Sequence, residues 1–210
     1  MQHETARAPA TAGHVIHWAR WYDTFDRAVP FVRRIRNKLV DLAAPAQGEH
    51  VLDVGCGTGT LAIALKARVG AGKVCGIDPS PEMIEVAKKK AAKAGADTDF
   101  RLATIEALPF SDDSFDIVTS TLMLHHLPRE VKRQGLAQIR RVLKPGGRFT
   151  AADFAARSHS PLGHLVSLFG GHAPRESTVA ELTPMLKDAG FSDVEVIPTR
   201  HKNFAFICAR

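Results

Sequence analysis

Three cysteines in 210 residues, Cys56, Cys75 and Cys208, are too few and too scattered for a disulfide framework. Their odd number and the lack of a C-x-x-C pair also argue against a thiolate zinc site, so they read as small buried hydrophobes of a reducing compartment. Long apolar runs are missing as well. The longest are strand-length, well short of the roughly 20 residues that span a bilayer. The opening residues, MQHETARAPATAG, lack the continuous apolar core of a secretory signal. Residues 1–14 therefore read as a disordered tail, and a cytoplasmic protein is expected. What the chain does have is 45% hydrophobic residues, enough for one compact domain, and a net charge of +6 with a pI near 9.5. That balance suits an acidic substrate, an anionic membrane surface or nucleic acid without choosing among them.

From Gly48 onward short β-branched runs (HVLDV, KVCGI, DIVTS, RFTAA) alternate with longer helical stretches. Residues 81–94 have Ser80 as N-cap, Pro81 at the first helical position and Gly95 past the end. Residues 129–143 put Val131, Leu136, Ile139, Val142 and Leu143 near one helical face before the stop Lys144-Pro145-Gly146-Gly147. This alternation predicts an α/β fold with a parallel sheet covered on both faces. After a helix at about 178–189, the runs DVEVIPTRH and NFAFICAR predict an antiparallel hairpin at one edge, which makes the sheet mixed. Ahead of the alternation, Trp18, Trp21, Tyr22, Phe25, Val29, Val32, Ile35 and Leu39 recur at three- or four-residue spacing, with Pro30 dividing or kinking the helix. The region 15–47 is expected to be a helical cap on a single domain spanning 48–210.

The stretch VLDVGCGTGT joins an apolar strand to the helix TLAIALKARV through Gly55, Gly57 and Gly59. Glycines there let the backbone turn tightly and bring N–H groups against a ligand at a helix N-terminus. A dinucleotide fingerprint starting at Gly55 would need its third glycine at position 60, where Thr60 stands. Asp53 beside the loop would also repel a pyrophosphate, yet it suits a ligand carrying an ammonium group. Asp78 closes the next strand 19 residues after Gly59, where a carboxylate accepts from ribose hydroxyls. An amino acid joined to a nucleoside without phosphate fits this set better than a dinucleotide.

VLDVGCGTG, GIDPSPEMIEVAKKKA, IEALPFSDDSFDIVTSTLMLHHL and LKPGGRF, in that order, closely resemble successive motifs of class I S-adenosylmethionine-dependent methyltransferases. The nearest resemblance is to the small type-11 group that includes quinone and phospholipid methyltransferases. It covers about 48–155 strongly and implies a Rossmann-like, seven-stranded mixed sheet and S-adenosyl-L-methionine as cofactor. It also implies that Gly55, Cys56, Gly57 and Gly59 line the methionine part, with Asp53 steering the amino group. Asp78, beside Pro79, is implied to hold the ribose, Met83 to pack on the adenine, and Thr104, Ile105 and Glu106 to edge that ring. Ser120, Thr121 and Leu122 are implied to face the methionine and the transferable methyl. The family often has an acidic residue where Thr104 stands, so the contact to the adenine amino group either weakens or falls to Thr104 Oγ1.

On the acceptor side, His125, His126 and Tyr22 are the candidate catalytic residues, the histidines because either accepts a proton near neutral pH. A catalytic base is optional for an acceptor that ionises easily. The Gly-, Ser- and His-rich segment 156–174 is expected to be a substrate lid carrying Leu162, Leu165, Val166, Leu168 and Phe169. Its histidines lack the i, i+4 spacing of a helical metal pair, so no metal is expected. STLM stands where enzymes that methylate amino groups of bases carry an Asn/Asp-Pro-Pro-aromatic motif, and nucleic acid is not an expected partner. The expected activity is methyl transfer to a small molecule through oxygen, nitrogen or activated carbon. Two other readings stand beside it. One is a membrane-surface enzyme for a quinone or phospholipid, using the basic stretch 15–42 on anionic lipid. The other is a non-catalytic S-adenosylmethionine-binding sensor or partner subunit. The oligomeric state is left open.

Overall fold

The computed structural model describes residues 30–155, 179–199 and 204–210. The expected tail, the aromatic stripe from Trp18 to Val29 with Tyr22, and the lid at 156–174 lie outside those residues. Helix α1 (Pro30–Ala43) leads into β1 (Val51–Val54), α2 (Thr60–Val69), β2 (Val74–Asp78), α3 (Pro81–Ala94) and β3 (Asp99–Leu102). Then follow β4 (Phe115–Thr121), α4 (Arg129–Val142), β5 (Leu143–Phe154), α5 (Val179–Asp188), β6 (Val194–Pro198) and β7 (Phe204–Ala209). The sheet has seven strands in the order β3-β2-β1-β4-β5-β7-β6, with the first five parallel and β7 antiparallel to both its neighbours. The mixed sheet and its edge hairpin are thus as the pattern predicts.

Neighbouring strand residues face opposite cores, as a pleat requires. Leu52, Val118, Ala151 and Ile207 join Leu136 and Ile139 of α4 and Leu186 of α5. Val51, Ile117, Ala152 and Phe206 join Leu39 of α1, Leu65 of α2 and Ala87 of α3 on the other face. The strands are short apolar runs because both faces are covered. α1 spends Ile35, Leu39, Val40 and Ala43 on this second core while Arg33, Arg34 and Lys38 stay exposed. The apolar half of the basic amphipathic pattern is therefore used inside the fold over this length. No helix among the described residues is long and apolar enough to cross a membrane.

The caps of α3 fall where the sequence puts them. Ser80 Oγ accepts from the Met83 N–H at 3.3 Å, and Gly95 closes the helix in the left-handed region. The stop after α4 takes a different form from a plain turn. Leu143 already pairs with Phe115, and the next pair is Ile117 with Arg148, so Lys144–Gly147 bulges out of β5. The cysteines differ in burial from the expectation: Cys56 is buried, whereas Cys75 and Cys208 are half-buried free thiols.

The strand order reverses between β1 and β4, and in open α/β sheets the crevice outside the carboxyl ends at such a point is where ligands bind. The glycine loop, the ends of β2 and β3, and the residues after β4 and β5 all meet that rim.

Candidate functional site

The loop from β1 to α2 has Gly55, Gly57 and Gly59 at φ 71°, 52° and 77°. Two of these glycines are needed for space as well. A Cβ on Gly55 would overlap Met123 Cγ, and one on Gly59 would sit 2.6 Å from Phe100 Cζ. A Cβ on Gly57 meets nothing within 4 Å, so this backbone faces open space. The N–H groups of Gly55 and Cys56 both donate to Ile77 O at 2.9 Å, which ties the loop to β2.

Asp78 sits where the loop and β2 converge. Its Oδ2 accepts from the Gly57 N–H at 3.0 Å and its Oδ1 from the Ser80 N–H at 2.9 Å. Burial raises its pKa, with those two hydrogen bonds opposing. A carboxylate has about four lone-pair sites, so two N–H donors leave capacity for hydroxyl donors. Asp53 lies deeper, 1% exposed, with its carboxylate accepting from Thr119 Oγ1 at 3.0 Å and from the Ala62 N–H. Burial pushes its pKa up to about 7, against the Thr119 hydroxyl and the charge of Arg36. It thus lies beneath the loop and the N-terminus of α2. Lys90 Nζ donates to Thr60 Oγ1 at 2.7 Å and Thr58 Oγ1 at 3.3 Å, a brace from α3 that sequence reasoning missed.

Buried polar atoms in native proteins nearly always have a partner, and leaving one unmade costs about 1–3 kcal/mol. Thr104 Oγ1, Glu106 Oε2, Ser120 Oγ and Thr121 Oγ1 are buried without a hydrogen-bond partner. All four belong to the segments after β3 and at the end of β4, on the rim of the crevice. Leu122, next in the chain, holds φ 52° while its N–H donates to Ala152 O at 2.8 Å. A leucine in the left-handed region is strained, and strain of this kind collects where ligands bind. Met83 is 3% exposed in the first turn of α3, and Pro79 is half-buried beside Asp78. The candidate cofactor residues therefore converge on one rim, with orphaned acceptors that a nucleoside bearing amino and hydroxyl donors would satisfy.

The short 3-10 turn Leu124–His126 follows β4. His125, 7% exposed, directs Nδ1 at Asp153 Oδ1, 2.7 Å away, while its backbone N–H donates to Asp153 Oδ2 at 3.2 Å. Asp153 comes from the end of β5, one residue past the pair Thr121–Ala152. Burial alone would raise its carboxyl, but the His125 charge and hydrogen bond, with the Phe154 and His125 N–H groups, hold it below its ordinary value. Phe154 meets the His125 ring edge-on at 4.6 Å, and the half-buried His126 ring lies 3.8 Å from it between centroids. Lys132 of α4, 3% exposed, feels the charges of Glu181 and Asp153. Asp153 and Lys132 were not among the candidate residues. The signal for Asp153 was present: like Asp53 and Asp78, it is an acid at or one residue from the end of an apolar strand. The structure thus distinguishes the two histidines, and Tyr22 lies outside the described residues. Among the described residues no group of His, Cys, Asp and Glu is arranged to hold a metal.

Residues 51–147 match a family described as a methyltransferase domain. The O-methyltransferase cnsE of Penicillium expansum is 33% identical over 193 residues, covering 90% of this chain and 69% of the relative. The chain belongs to the class I S-adenosylmethionine-dependent methyltransferases, in their type-11 group. This methyltransferase is also 37% identical over 135 residues to the demethylmenaquinone methyltransferase of Thermus thermophilus, covering 63% of this chain and 60% of the relative. Among solved structures, a SAM-dependent methyltransferase from Aquifex aeolicus superposes with a TM-score of 0.68 at 26% identity, covering 83% of this chain and 88% of that one. S-adenosylmethionine is accordingly the cofactor, and the orphaned acceptors on the rim fit it.

Proposed function

We propose that this methyltransferase methylates a hydroxyl oxygen of a small-molecule acceptor, with His125 taking the hydroxyl proton and Asp153 holding the imidazole. The observation that carries the reading is the buried 2.7 Å contact between His125 Nδ1 and Asp153 Oδ1. An ionised carboxylate accepts only, so Nδ1 carries the proton and Nε2 is left as the basic nitrogen. Asp153 then balances the positive charge that forms when Nε2 takes a proton.

For the cofactor, Asp78 receives the ribose hydroxyls, Thr104–Glu106 edge the adenine, and the glycine loop takes the methionine end over Asp53. Leu122, Ser120 and Thr121 face the reacting side. When bound, S-adenosylmethionine would supply an electrophilic methyl group to an acceptor aligned opposite its sulfur, which would leave as the neutral thioether. The protein's part is to align the acceptor, keep water away and accept one proton. The length of cnsE matched, and its name as an O-methyltransferase, support oxygen as the attacking atom. The match to the demethylmenaquinone enzyme favours a second reading, an activated ring carbon whose hydroxyl the same base would ionise.

The test is methyl transfer from labelled cofactor to a panel of hydroxylated small molecules, with the methylated atom located by mass spectrometry. Oxygen methylation that falls about 10²- to 10⁴-fold in His125→Gln, with cofactor affinity kept, is expected of a lost general base. Transfer to carbon selects the second reading. Transfer that is indifferent to His125 removes the base altogether.

A further inference from the structure

A helix interior disfavours glycine relative to alanine, yet α4 carries Gly135 in the middle of its buried face, among Lys132, Leu136, Ile139 and Val142. The reason is on the neighbouring loop. A Cβ at Gly135 would lie 2.6 Å from both Cδ1 and Cγ1 of Ile105 and 3.1 Å from its Cγ2. Three carbons of one β-branched side chain are engaged, so the methyl would meet a stiff, buried neighbour. Ile105 is 4% exposed and stands between Thr104 and Glu106, whose Oγ1 and Oε2 are buried without a partner.

The far end of α4 holds the same segment. Arg141 donates from Nη1 to Phe110 O at 2.8 Å and Asp112 Oδ1 at 2.7 Å, and from Nη2 to Leu108 O at 3.1 Å. Within the 3-10 turn Ile105–Ala107 the Ala107 N–H donates to Thr104 O at 3.3 Å, but Thr104 makes no side-chain cap, so the turn does not hold its hydroxyl. The turn packs on the helix beneath it through Ile105.

We infer that Gly135 is a positioning residue for recognition of the cofactor's adenine: it is the socket that seats Ile105 and so aims Thr104 Oγ1 and Glu106 Oε2 at the ring edge. The inference rests on the reading above that the 104–106 turn edges the adenine. Glu106 Oε2 only accepts, whereas the Thr104 hydroxyl accepts or donates, and adenine presents an amino donor at the position where hypoxanthine presents a carbonyl oxygen. A correctly seated turn therefore prefers the amino form, because a carbonyl facing Glu106 Oε2 would leave that acceptor unpaired.

The experiment measures, by calorimetry on the full chain, binding of S-adenosylhomocysteine and of its deaminated analogue S-inosylhomocysteine, together with the melting temperature. The wild type prefers the adenine ligand. In Gly135→Ala the affinity for S-adenosylhomocysteine falls about tenfold, as a small misplacement of a binding group allows, and the preference between the two ligands shrinks. The melting temperature falls by only a few degrees, since alanine's better fit to the helix offsets part of the overpacking against Ile105. Adding Ile105→Val to Gly135→Ala removes the Cδ1 that the new methyl meets while keeping a branched side chain in the socket, and recovers part of both affinity and preference. A Gly135→Ala protein that keeps the wild-type preference, or a double variant that recovers neither quantity, overturns the socket. If Gly135→Ala does not fold, Ile105→Ala alone leaves the socket empty and must lose the preference; keeping it is equally fatal. A wild type with no preference between the ligands refutes the adenine reading of the turn itself, and the socket with it.

Discussion

Replacing Asp153 by Asn keeps the shape of the side chain and removes its charge. In the native arrangement Oδ1 accepts from the Phe154 N–H at 2.8 Å and faces His125 Nδ1 at 2.7 Å, while Oδ2 accepts from the His125 N–H at 3.2 Å. An amide has one acceptor for these two places. With its oxygen at the Oδ1 position, its NH₂ confronts the His125 N–H, donor against donor. Flipped, the NH₂ confronts the Phe154 N–H and drives the ring to the tautomer that lacks a basic Nε2. Hydrogen bonds to charged groups contribute about 1.5–3 kcal/mol, which at 1.36 kcal/mol per decade predicts turnover lower by roughly 10- to 150-fold. Initial rates of methyl transfer measure this, with S-adenosylhomocysteine affinity as the control expected within about twofold, since Asp153 lies on the acceptor side. Stability gives an independent readout. The folded pKa of Asp153 lies below its ordinary 3.8, so its stabilisation is complete above that value and is lost as pH falls through the folded one. The melting-temperature gap between wild type and Asp153→Asn should therefore be wide at neutral pH and narrow in acid. A variant with wild-type turnover and a lowered melting temperature would show that Asp153 only holds the fold, and the assignment of His125 as base would go with it.

Three further outcomes follow from the cofactor side. Asp53, with its pKa near 7 in the free protein, is protonated below that pH, and a ligand ammonium favours the ionised form. S-adenosylhomocysteine affinity should then rise about tenfold per pH unit below 7 and level off above it, and Asp53→Asn should flatten the profile, as calorimetry across pH 5.5–7.5 would report (about one decade per unit at most). Gly57→Val puts a branched side chain into the open face of the loop at φ 52°, so ligand binding should vanish while the melting temperature falls only a few degrees, about 2–4 °C per kcal/mol. Gly59→Ala drives a methyl to 2.6 Å from Phe100 Cζ and 3.0 Å from Ala87 Cβ, and denaturant unfolding should show a loss of about 1–3 kcal/mol.

Where the backbone chemistry is local, the sequence is easy to read. Ser80, Pro81 and Gly95 bound α3 to the residue because each acts on neighbours within one turn. The glycine loop is legible for the same reason, since φ and spacing are properties of a few consecutive residues. The site's second half depends on contacts between distant residues. His125 and Asp153 are 28 apart in the chain and meet only because β4 and β5 pair in parallel with Thr121 opposite Ala152. Gly135 and Ile105 meet through a helix packed under a loop, a contact with no periodicity to announce it. Lys90 gives no sign, in a run of lysines, of being the one that turns inward to Thr60. The burial of Asp53 is likewise invisible in VLDV, where an acid at the end of a strand is as readily exposed as enclosed.

In the proposed arrangement one rim holds S-adenosylmethionine against the ends of β2, β3 and β4 and presents its reacting methyl to His125. In a crystal structure with S-adenosylhomocysteine the ribose hydroxyls should then lie on Asp78, the adenine edge on Thr104 Oγ1 or Glu106 Oε2, the sulfur beside Ser120–Leu122, and His125 Nε2 across the acceptor cavity from that sulfur. A ligand whose ribose avoids Asp78, or a sulfur screened from His125 by protein, would contradict it.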